Sequence, residues 1–169
     1  MEFTFACRDH LLEIVSLFDA AKKHMDANGI YQWDAIYPDR QILSEDIEQG
    51  ILQIGTIDGQ IVVVFVLEEC AEADYEEADW SIHADRIIVL HRLCVHPAFQ
   101  GQGVARQAMD YLEQSVQARG IRAIRLDAFS RNPAALKLYE SRGYEKAGEI
   151  WYRKGLFYLY EKLLPDFCE

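Results

Sequence analysis

A chain of 169 residues, half of them apolar, is long enough for one folded domain with a sizeable core and too apolar to stay disordered. Its 28 acidic residues outnumber 17 basic ones for a net charge of −11, and no Lys/Arg cluster stands out. That balance argues against a nucleic-acid partner and leaves two readings, a cationic small substrate or simply a well-dispersed surface.

The first residues carry no apolar core of a signal peptide, and no apolar run approaches the roughly 20 residues of a membrane span, so no membrane partner is expected. Cys7, Cys70, Cys94 and Cys168 are scattered, without a C-x-x-C pair or a histidine at metal-ligand spacing. They read as free thiols of a reducing cytoplasm, no metal is expected, and Cys94 reads as a small core residue.

In chain order, residues 2–7 alternate and predict a short strand. Residues 9–27 place Leu11, Leu12, Val15, Phe18, Ala21 and Met25 at helical spacing, with Asp9 as cap and Asn28-Gly29 as stop. Residues 30–38 are aromatic and aperiodic, a loop. A second helix runs from Pro38-Asp39 to Gln49 and buries Ile42, Leu43 and Ile47. Two strands, 51–57 and 60–67, flank Asp58-Gly59, a dipeptide suited to a two-residue turn. The second of them is apolar on both faces and therefore central. From 68 to 85 carboxylates accumulate (Glu68, Glu69, Glu72, Asp74, Glu76, Glu77, Asp79, Asp85) with no Lys or Arg, which predicts a solvated loop or hairpin tip.

A strand follows at 86–95. A helix at 103–119 carries Val104, Ala105, Ala108, Met109, Leu112 and Val116 on one face, and a strand at 121–128 follows it. The helix 132–142 has Pro133 at its first position and Gly143 past its end. A last hairpin, 144–153 and 156–163, turns at Lys154-Gly155. Strands interleaved with helices predict one mixed α/β (α+β) domain over 1–169.

The join at 93–106 is the most informative stretch. A strand (Leu93-Cys94-Val95) meets a proline, then Gln100-Gly101-Gln102-Gly103, then a helix. Such a backbone presents free N–H groups at a helix N-terminus and suits a phosphate. No Gly-Lys-Ser/Thr follows, so it is not a Walker loop, and the third glycine of a dinucleotide fingerprint is missing.

Gln100-Gly101-Gln102-Gly103-Val104-Ala105, together with Asn132-Pro-Ala-Ala-Leu-Lys-Leu-Tyr139-Glu-Ser-Arg-Gly143-Tyr144 further on, resembles two signatures of the GNAT superfamily of N-acetyltransferases. The resemblance implies a mixed, mostly antiparallel sheet of about seven strands with about four helices, splayed between its fourth and fifth strands, with acetyl-CoA in the cleft. It further implies that Leu93, Cys94 and Val95 pair with the pantetheine arm, and that the N–H groups of Gly101, Gln102, Gly103, Val104, Ala105 and Arg106 hold the pyrophosphate. Asn132, a helix cap on its own account, also contacts the cofactor arm in the family. Many members carry a cation within the turn; here Gln102 stands there and Arg106 is the nearest positive charge.

Acetyl transfer needs a neutral amine, a stabilised oxyanion and a proton for the departing thiolate. Tyr139 stands where the family has its general acid, and a phenol is protonated at neutral pH. Packing on an amphipathic helix is its alternative role. Asp127 is the candidate base, with Glu68, Glu69, His91, His96 and ordered water as competitors. The oxyanion donor is assigned to a backbone N–H near Val95. On the acceptor side, Tyr31 and Trp33 in the aromatic loop read either as a wall for the amine or as a plug on the first helix, and Trp80 raises the same question. The expected partner is a small-molecule or peptide amine, with oligomeric state, a homodimer included, left open. Rival readings are an inert acyl-CoA-binding module and an acyltransferase using a longer acyl chain.

Overall fold

The computed structural model describes residues 1–70 and 78–165. Cys168 and the carboxylates Glu72, Asp74, Glu76 and Glu77 lie outside the described residues. Among the described residues seven strands and four α-helices follow in the order β1 (Glu2–Phe5), α1 (Leu11–Ala27), α2 (Arg40–Glu48), β2 (Leu52–Ile57), β3 (Gln60–Cys70), β4 (Ile87–Val95), α3 (Val104–Ala118), β5 (Ala123–Phe129), α4 (Pro133–Ser141), β6 (Glu145–Tyr152) and β7 (Gly155–Leu163). The strands form one mixed sheet in the order β1-β2-β3-β4-β5-β7-β6. Its β4–β5 pair is parallel, while the β1–β2, β2–β3, β5–β7 and β6–β7 pairs are antiparallel. The expected architecture is therefore present. Among the described residues no helix is long and apolar enough to cross a membrane.

The chain divides into two compact units. The first, Met1–Leu67 with Arg92–Met109, has its core where α1 and α2 meet the sheet. Ile14, Leu17, Phe18 and Ala21 of α1 and Leu43 and Ile47 of α2 pack there with Leu52, Ile54, Val64, Val66 and Cys94. β3 is apolar on both faces because both are covered, and Ile61 through Leu67 are all buried. The second unit is Glu68–His91 with Asp110–Glu169. Ile87 and Val89 of β4 and Ala123 of β5 pack there with Cys70, Ile82 and Ala84.

Several boundaries depart from the sequence reading. Asp9 does not cap α1: a 3-10 turn at Arg8–His10 precedes it, and the Cys7 N–H donates to His10 Nδ1 at 3.1 Å. Leu12 is exposed, since it falls on the far side of the helix from Ile14 and Leu17. β3 runs three residues further than expected, through Glu68, Glu69 and Cys70, because the Glu69 carboxylate finds Arg86 and Arg119 and needs no loop to reach water. The segment 78–85 is not simply solvated. Trp80 is buried with the Arg125 guanidinium 4.2 Å from its ring centroid, and the Ser81 and Ile82 N–H groups donate to the buried Glu161 carboxylate at 2.8 and 3.2 Å.

Candidate active site

The turn after β4 is built from its own side chains. The His96 N–H donates to the Val62 carbonyl at 2.9 Å, and His96 Nδ1 accepts the Ala98 N–H at 3.2 Å, which starts a 3-10 turn over Pro97–Phe99. The Gln100 side-chain amide donates to the Val95 carbonyl (3.2 Å) and that of Gln102 to the Ala98 carbonyl (2.8 Å). Gly101 and Gly103 have φ of 74° and 81°. A Cβ at either would meet open space, so the left-handed backbone and not crowding requires glycine there.

The first helical bond of α3 runs from the Gln107 N–H to the Gly103 carbonyl at 3.1 Å. The N–H groups of residues 103–106 consequently have no acceptor within the helix, and the positive end of its dipole lies among them. Open space, bare N–H groups and the exposed Arg106 fit a phosphate group. Gln102, which replaces the expected cation, spends its side chain on bracing the turn and keeps its backbone N–H.

The parallel ladder pairs Ile87–Leu90 with Ala123–Leu126 and ends there, while β4 continues to Val95 and β5 to Phe129. Leu93, Cys94 and Val95 thus belong to the stretch of β4 beyond the ladder. Burial pushes the Cys94 thiol up, which keeps it a neutral core group.

In the second unit, the Asn132 side chain caps α4 by accepting the Ala135 N–H at 3.2 Å, the structural half of its expected duty. Tyr139 lies two turns on, buried, with ring centroids of Tyr144 and Tyr160 at 5.8 and 6.3 Å. Burial first, and the Asp127 carboxylate second, push its phenol well above the ordinary range. Asp127 is inside β5, opposite Leu159.

The competing bases are differently placed. Glu69 is held low chiefly by its Arg86 hydrogen bond, which suits a structural carboxylate and not a proton acceptor. His91 Nε2 lies 3.3 Å from Glu68 Oε2. His96 Nδ1 is occupied by the Ala98 N–H.

Of the aromatic loop, Trp33 is a plug, 8% exposed and 5.3 Å from the Phe18 ring within the first core. Tyr31 is 57% exposed. One face of Trp80 is taken by Arg125, an internal cation.

Four buried or half-buried charged residues are not marked by the sequence motifs. Arg125 and Glu161 face each other across the β5–β7 ladder, both buried; the one signal for them is a charge interrupting apolar strands. Arg92, with a φ of 54° inside β4, pairs with the buried Asp46 at 2.7 Å. Nothing in composition or spacing marks that pair. Among the described residues no group of three His, Cys, Asp or Glu is placed to hold a metal ion.

A family model described as the acetyltransferase (GNAT) family matches residues 18–144. Over 57 residues the chain is 42% identical to the ribosomal protein bS18-alanine N-acetyltransferase of Haemophilus ducreyi, which is 34% of this chain and 39% of that protein. The chain spans less than half the length of the first curated relatives it matches. A GNAT-family acetyltransferase from Streptococcus agalactiae superposes with a TM-score of 0.83 at 21% identity, covering 98% of this chain and 96% of that one. The PaiA N-acetyltransferase of Thermoplasma acidophilum, solved in complex with coenzyme A, superposes with a TM-score of 0.71 at 15% identity, covering 96% and 98%. At these identities the two structures speak for the fold.

Proposed function

The chain belongs to the GNAT acetyltransferase family, and from that premise we propose that it moves an acetyl group from acetyl-CoA to a primary amine of a small molecule or peptide, by direct attack in a ternary complex. Residues 1–169 act as one N-acetyltransferase domain, in the cytoplasm. The observation that carries this reading is the turn at 101–106, where two left-handed glycines feed a helix whose first N–H groups have no partner of their own within it. A bound coenzyme A in a protein of the same fold supports the choice of donor. The peptide option draws support from the name of the Haemophilus relative, which specifies an alanine of a ribosomal protein as acceptor.

In this reading the backbone N–H groups of Gly101 through Arg106 hold the pyrophosphate, and the backbone of Leu93, Cys94 and Val95 pairs with the pantetheine arm. Asn132 contacts the arm from the start of α4. The acceptor, a free amine with pKa about 10.4, must lose a proton before it attacks. Asp127 takes that proton directly or through water. As the new C–N bond forms, a backbone N–H near Val95 steadies the oxyanion. When the C–S bond breaks, Tyr139 gives its phenol proton to the departing thiolate, and the proton that Asp127 took from the amine restores the phenol, directly or through water. Tyr31 lines the acceptor side, with Trp33 behind it as support.

The deciding experiment measures CoA release from acetyl-CoA and from longer acyl-CoA thioesters across a panel of amines: spermidine, an aminoglycoside and peptides with free N-termini. Wild type is expected to release CoA with at least one amine, and Tyr139→Phe to lose most of that rate while still binding CoA. CoA binding with no acylation of any amine overturns the enzyme reading in favour of an inert acyl-CoA-binding module. Preference for a longer thioester overturns the choice of acetyl.

A further inference from the structure

Arg92 adopts a left-handed backbone inside a strand, which any residue but glycine resists. A kink of that kind re-aims a side chain. The Arg92 side chain is only 12% exposed, and its guanidinium joins two elements of the first unit. Nη2 donates to Asp46 Oδ1 on α2 at 2.7 Å, and Nη1 donates to the Tyr37 hydroxyl at the end of the aromatic loop, also at 2.7 Å. The same guanidinium lies 5.8 Å from the Tyr37 ring centroid.

Other supports of the loop are local or come from α1. Asp34 Oδ1 accepts the N–H groups of Ile36 and Tyr37 at 3.0 and 3.2 Å. The Asp34 N–H donates to the Tyr37 carbonyl at 3.1 Å, and Lys22 Nζ donates to the Pro38 carbonyl at 2.6 Å. Trp33 anchors the loop in the core beside Phe18. Arg92 adds a tie of another kind, because it comes from β4 itself. The residues that follow it are Leu93, Cys94 and Val95. One side chain therefore connects the strand segment assigned to the cofactor arm with the loop that presents Tyr31 and Ile36, 57% and 66% exposed.

We propose that Arg92 is a positioning residue for the acceptor: by gripping Tyr37 it fixes the loop of residues 31–37, and with it the acceptor wall, relative to the Leu93–Val95 segment. This rests on the acetyltransferase reading above. The contact is selective by design, since a guanidinium bonded to a carboxylate on one side and a phenol on the other uses the fork that lysine lacks.

The test compares Tyr37→Phe, Arg92→Lys and Arg92→Gly with wild type by two measurements. Amide hydrogen exchange over 30–38 is expected to quicken about tenfold in Tyr37→Phe, with the α1 core unchanged, as loss of one bond to a charged group implies, and at least as much in Arg92→Lys and Arg92→Gly, which also disturb the bond to Asp46. In steady-state kinetics with spermidine and with an alanine-terminated hexapeptide, KM for the amine that reacts rises about tenfold while KM for acetyl-CoA stays put. Arg92→Gly relieves the left-handed backbone but removes the grip. Wild-type behaviour of that variant overturns the proposal, and so do unchanged exchange or a parallel rise in both KM values. If wild type acetylates neither amine, the acetyltransferase reading is what fails, and the exchange measurement still upholds or overturns the grip of Arg92 on the loop.

Discussion

The Asp127 carboxylate raises the Tyr139 phenol, adding to a larger upward push from burial. The two stand in the same unit, one on β5 and one on α4, and the sequence separates them by a helix cap. Both effects favour the protonated phenol, the form a general acid needs. Asp127→Asn removes the charge but keeps the shape. It is expected to lower the Tyr139 titration somewhat while burial keeps it above the ordinary value of about 10, read from phenolate absorbance against Tyr139→Phe. An unmoved titration would remove Asp127 as a cause.

The same shift has a stability consequence with a definite sign. A phenol whose folded pKa is raised above its unfolded value contributes stability that is full below about pH 10. That contribution is lost as pH rises from there through the folded value. Urea unfolding of wild type is therefore expected to weaken above about pH 10 more steeply than that of Tyr139→Phe, with Asp127→Asn in between. Parallel curves for wild type and Tyr139→Phe contradict this.

If Tyr139 is the proton donor, its hydroxyl matters in the transition state and little before it. Tyr139→Phe should cut kcat on the reactive amine by about 100-fold, within the range for one general acid, with KM for acetyl-CoA nearly unchanged. Weakened CoA binding with a proportionate loss of rate would instead mark Tyr139 as packing for Tyr144 and Tyr160.

Glu161 offers a stability prediction in the second unit. Its carboxylate is 3% exposed and accepts three bonds, from the Ser81 N–H and hydroxyl and from the Ile82 N–H, opposite Arg125 in the ladder. Glu161→Ala leaves those three donors without their acceptor. We expect a loss of about 1–3 kcal/mol in urea unfolding, the cost of leaving buried donors unsatisfied. Glu161→Gln keeps an acceptor and should lose less. A change below about 0.5 kcal/mol for Glu161→Ala, the size of an ordinary surface substitution, would show that the 78–85 segment does not depend on this carboxylate.

What the sequence could show and what it could not divides along physical lines. Features with a short-range cause were legible: Asp58-Gly59 turns as expected, Asn132 caps α4, and Gly101 and Gly103 take the left-handed values a tight strand-to-helix turn needs. The unbroken apolar run of β3 reported its burial on both faces. Pairings between distant residues left no trace. Glu161 meets Ser81 across 80 positions, and Arg92 meets Asp46 across 46 and Tyr37 across 55. A carboxylate among carboxylates, such as Glu69, reads as a solvated loop or hairpin tip until its partners Arg86 and Arg119 are seen. Trp33 reads equally as wall or plug from sequence because periodicity ends in an irregular loop, and its contact with the Phe18 ring is visible only in the fold.

The turn itself gives the last prediction. At Gly103, φ is 81° and a Cβ would touch nothing within 4 Å. Alanine there meets no steric wall, so its cost is that of the left-handed backbone, about 1–2 kcal/mol. The protein either keeps the conformation at that cost or relaxes the turn and re-aims the N–H groups of 103–106. Relaxation spares stability and sacrifices the anion seat. Gly103→Ala is therefore expected to lose about 1–2 kcal/mol in urea unfolding, or to bind CoA at least tenfold more weakly by calorimetry, or to show some of both. Gln102→Ala, which removes only the amide brace to Ala98, should weaken CoA less than Gly103→Ala does. Adding 3′-dephospho-CoA separates the seat from the rest of the nucleotide, since a loss of affinity at the pyrophosphate is common to both ligands. A Gly103→Ala protein with wild-type stability and wild-type CoA affinity would show that neither the left-handed turn nor its N–H groups matter to the ligand.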